Sequence, residues 1–160
     1  MTDFADPSDG GRQLVALLSD AAVATDDACL IAIVPHGVPV AEALADALGL
    51  PLRGAYLDRE GEPRVVEVPE IAGRTAIVVD AGVETGTAAT LVGVALRQAG
   101  ASRLVLAVPV CPRQADAALR LLYDDVVAIA RPLARRDLRW HYADFGTIDE
   151  AEARRRLDAR

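Results

Sequence analysis

The stretch Val78-Val79-Asp80-Ala81-Gly82-Val83-Glu84-Thr85-Gly86-Thr87-Ala88 joins two different periodicities. Before the loop, Ala76 to Val79 is an unbroken apolar run, the pattern of a strand buried on both faces. After it, Ala88, Leu91, Val92, Ala95 and Ala99 mark one face of a helix that stops at Gly100. Strand, glycine-bearing loop and helix in that order predict one arm of a parallel α/β sheet.

The same alternation extends in both directions. Downstream, Leu104 to Val108 reads as a strand followed by Pro109 and Pro112. Ala115, Ala118, Leu119 and Leu122 then give a helix, and Val126 to Ala130 a further strand. Upstream, Leu14, Leu17, Leu18 and Ala21 form a helical stripe, and Cys29 to Val34 is a buried strand bounded by Pro35 and Gly37. A helix from about Val40 to Leu48 ends at Gly49, and Leu52 to Leu57 and Arg64 to Val68 read as strands around the polar turn Asp58 to Pro63. Alternation of this kind predicts parallel strands joined by right-handed crossovers. The expected fold class is α/β, a three-layer sandwich with a mostly parallel central sheet, in a single domain over residues 1–160. Residues 1–9 are expected to be a loose polar arm, and 132–160 a C-terminal covering segment. Within that segment Thr147-Ile148-Asp149-Glu150 reads as a capping box opening a last helix through about Leu157.

Composition narrows the chemistry. The chain has 160 residues, 52% of them apolar, which is enough to bury a real core. Its formal net charge of −7 argues against general nucleic-acid binding, because an acidic surface repels the phosphate backbone. The basic cluster Arg131, Arg135, Arg136 and Arg139 is either a solvated loop or an anion-attracting rim. Every cationic side chain apart from histidine is arginine. The absence of lysine removes Schiff-base chemistry and a Walker-type phosphate lysine. Cys29 and Cys111 lack metal-ligand spacing and flank apolar runs, so they are expected to be buried free thiols. Met1 to Gly10 shows no apolar signal core, and no apolar run approaches a membrane span, so a soluble, cytoplasmic protein is expected.

Ligands of open parallel sheets bind beyond the carboxyl ends of the strands, which makes the Asp80–Ala88 loop the candidate site. Gly82 and Gly86 let the backbone turn so that successive N–H groups point inward, and the following helix adds its positive end. The hydroxyls of Thr85 and Thr87 can donate to the same anion, while Asp80 can accept from a sugar hydroxyl. The alternative is an ordinary strand–helix turn with threonine as a cap. G-x-G-x-x-G spacing is missing, so a dinucleotide-binding reading is not favoured.

An apolar strand, an acidic residue and then Thr85-Gly86-Thr87 resemble the signature of the type I phosphoribosyltransferases. Pro35-His36-Gly37-Val38-Pro39-Val40-Ala41 is similar to a Pro-Arg-Gly-Gly-Val-Pro-Val-Ala stretch of a bacterial branch of that family, and Leu104 to Pro112 and Trp140 to Phe145 look like the same branch. The resemblance covers roughly Cys29 to Leu157. It implies that Asp80 and Glu84 lie near the ribose of phosphoribosyl pyrophosphate, and that Gly82, Thr85, Gly86, Thr87 and Ala88 hold its 5-phosphate. It further implies a pyrophosphate loop at Pro35, His36 and Gly37, acceptor-base contacts from Trp140 and Tyr142, and Mg2+ arriving with the pyrophosphate. Trp140 and Tyr142 have the alternative of simply covering the sheet edge. Members of the family are often dimers, so a homodimer is within expectation.

Several positions depart from the family pattern. Ala81 stands where a second acid is usual, Ala88 where the last threonine is, and His36 where the pyrophosphate loop has arginine. His36 either binds an anion when protonated or shapes the turn. Glu84 either faces solvent or replaces the missing acid on the ribose. The family's flexible catalytic loop would lie between Leu57 and Arg74, where Arg59 and Arg64 are the candidate cations. Two functions follow: binding of phosphoribosyl pyrophosphate or a ribose 5-phosphate nucleotide with transfer to a nitrogenous base, or a catalytically impaired binding or regulatory module that keeps the phosphate loop.

Overall fold

A computed structural model describes residues 2–160. Its strands are β1 (Ala28–Ile33), β2 (Leu52–Asp58), β3 (Arg64–Glu67), β4 (Thr75–Val79), β5 (Arg103–Val110) and β6 (Asp125–Ala130). The helices are α1 (Pro7–Asp20), α2 (Gly37–Leu48), α3 (Thr87–Gln98), α4 (Arg113–Leu119) and α5 (Glu150–Asp158), with one 3-10 turn at Leu138–His141. The sheet order is β3-β2-β1-β4-β5-β6, parallel throughout except for the β2–β3 hairpin.

Alternating side chains explain why the strands are apolar without interruption. Leu30 and Ala32 of β1 face one core with α1, α2 and α5. Cys29, Ile31 and Ile33 face the other core with α3 and α4. Burying a Leu or Ile side chain stabilises by ~1.5–3 kcal/mol, whereas an exposed ion pair contributes ~0–1 kcal/mol. The two apolar layers therefore hold the sheet, and the arginine–carboxylate pairs on the helices decorate it.

Topology places the site. From β1 the chain moves outward to β2 and β3, then crosses back to β4 and continues the other way through β5 and β6. Such a reversal opens a crevice above the carboxyl ends of β1 and β4. Ala32 lies beside Val79, and Val79 beside Ala107, so three strands reach the crevice at one level.

The termini depart from the sequence expectation. Residues 3–9 are no loose arm, residue 1 lying outside the described residues: Asp6 caps α1 by accepting from the Asp9 N–H at 2.8 Å, and Phe4 is 2% exposed. The N–H groups of Asp3 and Phe4 both donate to the His141 carbonyl at 3.0 Å, and Phe4 packs on Tyr142. That partner is distant in sequence, so nothing local announces it. At the other end, α5 is capped by Asp149, which accepts from the Glu152 N–H at 2.8 Å, rather than by Thr147. β5 runs on through Pro109 to Val110 because its pairing with β4 stops at Ala107, and one free side tolerates a proline. Leu122 lies beyond the end of α4.

Candidate functional site

The β4–α3 loop begins where Val79 leaves the sheet and ends where Gly86, at φ 89°, caps α3 in the left-handed region. Gly86 has no Cβ to oppose that φ, so the chain can turn abruptly into the helix. The loop is anchored at three points. The buried Tyr142 hydroxyl donates to the Ala81 carbonyl at 2.5 Å, and the Val83 N–H donates to the Val110 carbonyl at 2.9 Å. The buried Tyr123 hydroxyl donates to the Ala89 carbonyl at 2.7 Å. Between these anchors, the N–H groups of Glu84, Thr85, Gly86 and Ala88 have no protein acceptor among the described residues. Thr85 and Thr87 stand hydroxyl to hydroxyl at 3.1 Å beside them. Unspent amides at a helix start, held in place by buried tyrosines, are the arrangement that anion binding at a strand–helix loop requires.

Across the crevice, the β1–α2 turn is held tightly. The Val34–Pro35 peptide is cis, and the Val38 N–H donates to the Pro35 carbonyl at 3.1 Å. A Cβ on Gly37 would stand 2.5 Å from the Val79 carbonyl oxygen, so the turn approaches the tip of β4 as closely as a backbone can. Between loop and turn lies a cavity of about 540 Å³, lined among others by His36, Arg59, Asp80, Glu84, Thr85 and Leu138.

Electrostatics in the cavity follow from burial. Asp80 keeps some accessible surface at the cavity floor, yet dense protein around its carboxyl pushes its pKa up to about 7. The Ala81 N–H, donating to Asp80 at 2.7 Å, and Arg59 pull the other way without offsetting the lost hydration. His36 is pulled below the ordinary imidazole range, first by burial and then by Arg139 and Arg59, so it is neutral at pH 7. Its ring packs on Phe145 at 5.1 Å between centroids.

No family model matches the chain. Solved structures do. TT1426 from Thermus thermophilus aligns with a TM-score of 0.85 at 21% identity, over 98% of this chain and 98% of that one. The purine phosphoribosyltransferase of Pyrococcus horikoshii aligns with a TM-score of 0.60 at 17% identity, over 92% and 99%. The orotate phosphoribosyltransferase of Aeropyrum pernix gives 0.56 at 25% identity, over 76% and 68%. The fold is that of the type I phosphoribosyltransferases.

Within this phosphoribosyltransferase fold, the residues singled out from sequence fall into three groups. Asp80, Gly82, Glu84, Thr85, Gly86, Thr87 and Ala88 line the cavity together with Pro35 and His36, while Gly37 starts α2 directly beneath. Tyr142 does not face the cavity: it is 3% exposed, with its hydroxyl committed to Ala81. Trp140 lies outside the lining, under the Arg136 guanidinium at 4.3 Å. Tyr142 is therefore not placed to stack on a base in the cavity. Ala81 is fully buried in the α1–α2 core, so an acid there would point away from the cleft and not toward a sugar. Glu84 is exposed, the first of its two expected placements, and its carboxylate accepts from the Leu138 N–H at 3.0 Å, tying the loop to the C-terminal segment.

Sequence reasoning passes over Leu57, Pro63, Val83 and Leu138, which supply apolar wall, and leaves Arg59 uncommitted. Arg64, the other candidate cation, is spent on Asp58 at 3.1 Å. Arg131 leaves the basic cluster altogether and meets Asp116 at 2.6 Å. A signal for Leu138 is absent in principle, because an isolated leucine in a polar tail carries no period.

Proposed function

We propose that this cleft binds the ribose 5-phosphate portion of phosphoribosyl pyrophosphate or of a nucleotide. The observation that carries the reading is the set of unspent amides at Glu84, Thr85, Gly86 and Ala88, opening into a cavity with Asp80 at its floor. Amides and the α3 start take the phosphate, and Asp80 takes a ribose hydroxyl. The purine and orotate phosphoribosyltransferases with this fold support the choice of ligand. Transfer to a nitrogenous base is the activity such binding would serve, by positioning and electrostatic stabilisation without a covalent nucleophile. Among the described residues no three His, Cys, Asp or Glu side chains converge on a point. Mg2+ would arrive as a complex with pyrophosphate, and Asp80 and Glu84 are the carboxylates of the cleft lining that could meet its water shell.

The tie between Glu84 and Leu138 favours a second reading, a binding module without turnover, because it places a carboxylate beside the phosphate cradle. Calorimetry with ribose 5-phosphate and with phosphoribosyl pyrophosphate, each with and without Mg2+, tests the common core of both. Absence of heat in all four titrations sinks the proposal. Pyrophosphate release with a panel of purine and pyrimidine bases separates transfer from binding alone. No helix in the described residues is long and apolar enough to cross a membrane, which is in keeping with a small-molecule ligand taken from water.

A further inference from the structure

The β4–α3 loop does little to hold itself. Its N–H groups at Glu84, Thr85, Gly86 and Ala88 have no acceptor among the described residues, so its order comes from neighbours. Several of those neighbours belong to one short stretch, 138–142. The Leu138 N–H donates to Glu84, and the Tyr142 hydroxyl donates to the Ala81 carbonyl. The Leu138 side chain also covers Gly82, where a Cβ would stand 2.6 Å from it. This stretch is a single 3-10 turn and belongs to no strand of the sheet. What holds it in turn is the segment before α1. The N–H groups of Asp3 and Phe4 donate to the His141 carbonyl, and those of Ala143 and Asp144 donate to the Phe4 and Ala5 carbonyls at 2.9 Å. The Asp3 carboxylate meets Nδ1 of the buried His141 ring at 2.6 Å. Phe4, Val110 and Tyr142 form a small apolar core of their own, and the Val110 carbonyl takes the Val83 N–H of the loop.

We propose that Phe4 is a positioning residue for the cleft: the segment before α1 clasps the 138–142 stretch, and that stretch sets the β4–α3 loop. Docking of the clasp and occupation of the cleft are then coupled, each strengthening the other by the same factor. For the identity of the ligand the inference rests on the ribose-phosphate reading, whereas the link from clasp to loop rests on contacts alone. Phe4 packs on the Tyr142 ring at 5.3 Å between centroids, and a ring held in place keeps its hydroxyl aimed at Ala81. Without Phe4 the ring gains room and the loop samples more conformations. An anion that binds must then restore the order that was lost, and affinity falls.

The test compares the full chain with Phe4→Ala, and with Ile71→Ala as a control for lost stability. Ile71 is buried just before β4, at the opposite end of the sheet from the cleft, so its truncation lowers the melting temperature without reaching the loop. Ribose 5-phosphate affinity, measured by calorimetry well below every melting transition, should fall about fivefold or more in Phe4→Ala and less than about twofold in Ile71→Ala. Amide exchange reads the coupling directly. The Val83 N–H, protected by the Val110 carbonyl, should exchange faster in Phe4→Ala and at the wild-type rate in Ile71→Ala. In the other direction, saturating ribose 5-phosphate should slow exchange of the Ala143 and Asp144 N–H groups in the wild type. Phe4→Leu keeps apolar bulk, should fall between wild type and Phe4→Ala, and takes its place if Phe4→Ala does not fold. Wild-type affinity in the Phe4 variants, an equal loss in Ile71→Ala, unchanged Val83 exchange, or exchange at Ala143 and Asp144 that ignores bound ligand overturns the proposal. A wild type that binds no ribose 5-phosphate, with Val83 exchange still following Phe4, would keep the clasp and sink the ribose reading instead.

Discussion

Two loops leave neighbouring parallel strands at the same height and meet across one cavity, yet they are built on opposite principles. The β4–α3 loop is fastened at its ends by Tyr142, Val83 and Tyr123 and keeps its middle amides free. The β1–α2 turn is jammed along its length, with Gly37 against the Val79 carbonyl and His36 against Phe145. On the proposed reading the first loop would recognise its ligand with main chain and need no charged side chain of its own. The second has little main chain to offer, and side chains from other elements, Arg59 and Phe145 among them, close in around it. One cleft can thus hold a wall written locally and a wall assembled from afar.

The strongest way to break this contrast is Gly37→Ala. Its Cβ would fall 2.5 Å from a carbonyl oxygen that belongs to β4 and cannot swing aside. We expect a loss of about 3 kcal/mol, the upper range for overpacking, and a melting temperature lower by roughly 6–12 °C. A variant that melts with the wild type would show that the turn is not jammed at all.

Asp80→Asn sharpens the comparison next, because it removes the charge and keeps an acceptor for the Ala81 N–H. A carboxyl whose pKa is raised to about 7 in the folded chain binds its proton more tightly there than when unfolded. Its contribution to stability is fully present below the unfolded value near pH ~4 and is lost as pH rises through about 7. Asp80→Asn should therefore match the wild type near pH 4 and exceed it by up to about 2 kcal/mol at pH 8, allowing for the partial exposure of the carboxyl. Denaturant melts across that range decide it, and a difference that does not grow with pH removes the buried-carboxyl account.

Tyr142→Phe tests the fastening of the free loop. It deletes the donor to the Ala81 carbonyl at a buried position, which should cost about 1–2 kcal/mol and weaken ribose 5-phosphate binding through loss of loop order. Unchanged stability would mean that the carbonyl has found other company.

How much of this is legible beforehand follows from the same distinction. The central strands can be read because burial on both faces leaves no polar position to interrupt them, and Gly49 and Gly100 do adopt left-handed caps. The β4–α3 loop can be read because its donors are backbone groups, placed by glycines and threonines that sit within a few residues. Ala81 reads from sequence as a lost sugar contact, although adjacent residues leaving a strand point to opposite sides and one of the pair must face the core. Tyr142 looks like a ligand contact and proves to be a fastener, while Phe4 looks like part of a free end. Those roles depend on contacts between chain ends, and neither composition nor period encodes such contacts.

Glu84→Gln carries the smallest expected effect and the finest distinction. The amide oxygen of glutamine can still accept from the Leu138 N–H, so the tether survives and stability should move by no more than about 0.5 kcal/mol. What changes is a negative charge next to amides that invite an anion. Solvent around this exposed side chain screens the repulsion, so relief should raise ribose 5-phosphate affinity by a factor of about two to five, more at low salt than at high. If affinity rises and the salt dependence follows, the cradle and the carboxylate compete for the same electrostatic space. If affinity falls instead, Glu84 leaves Leu138 when ligand enters and binds the sugar itself, and the free loop would then recognise with side chain as well as backbone.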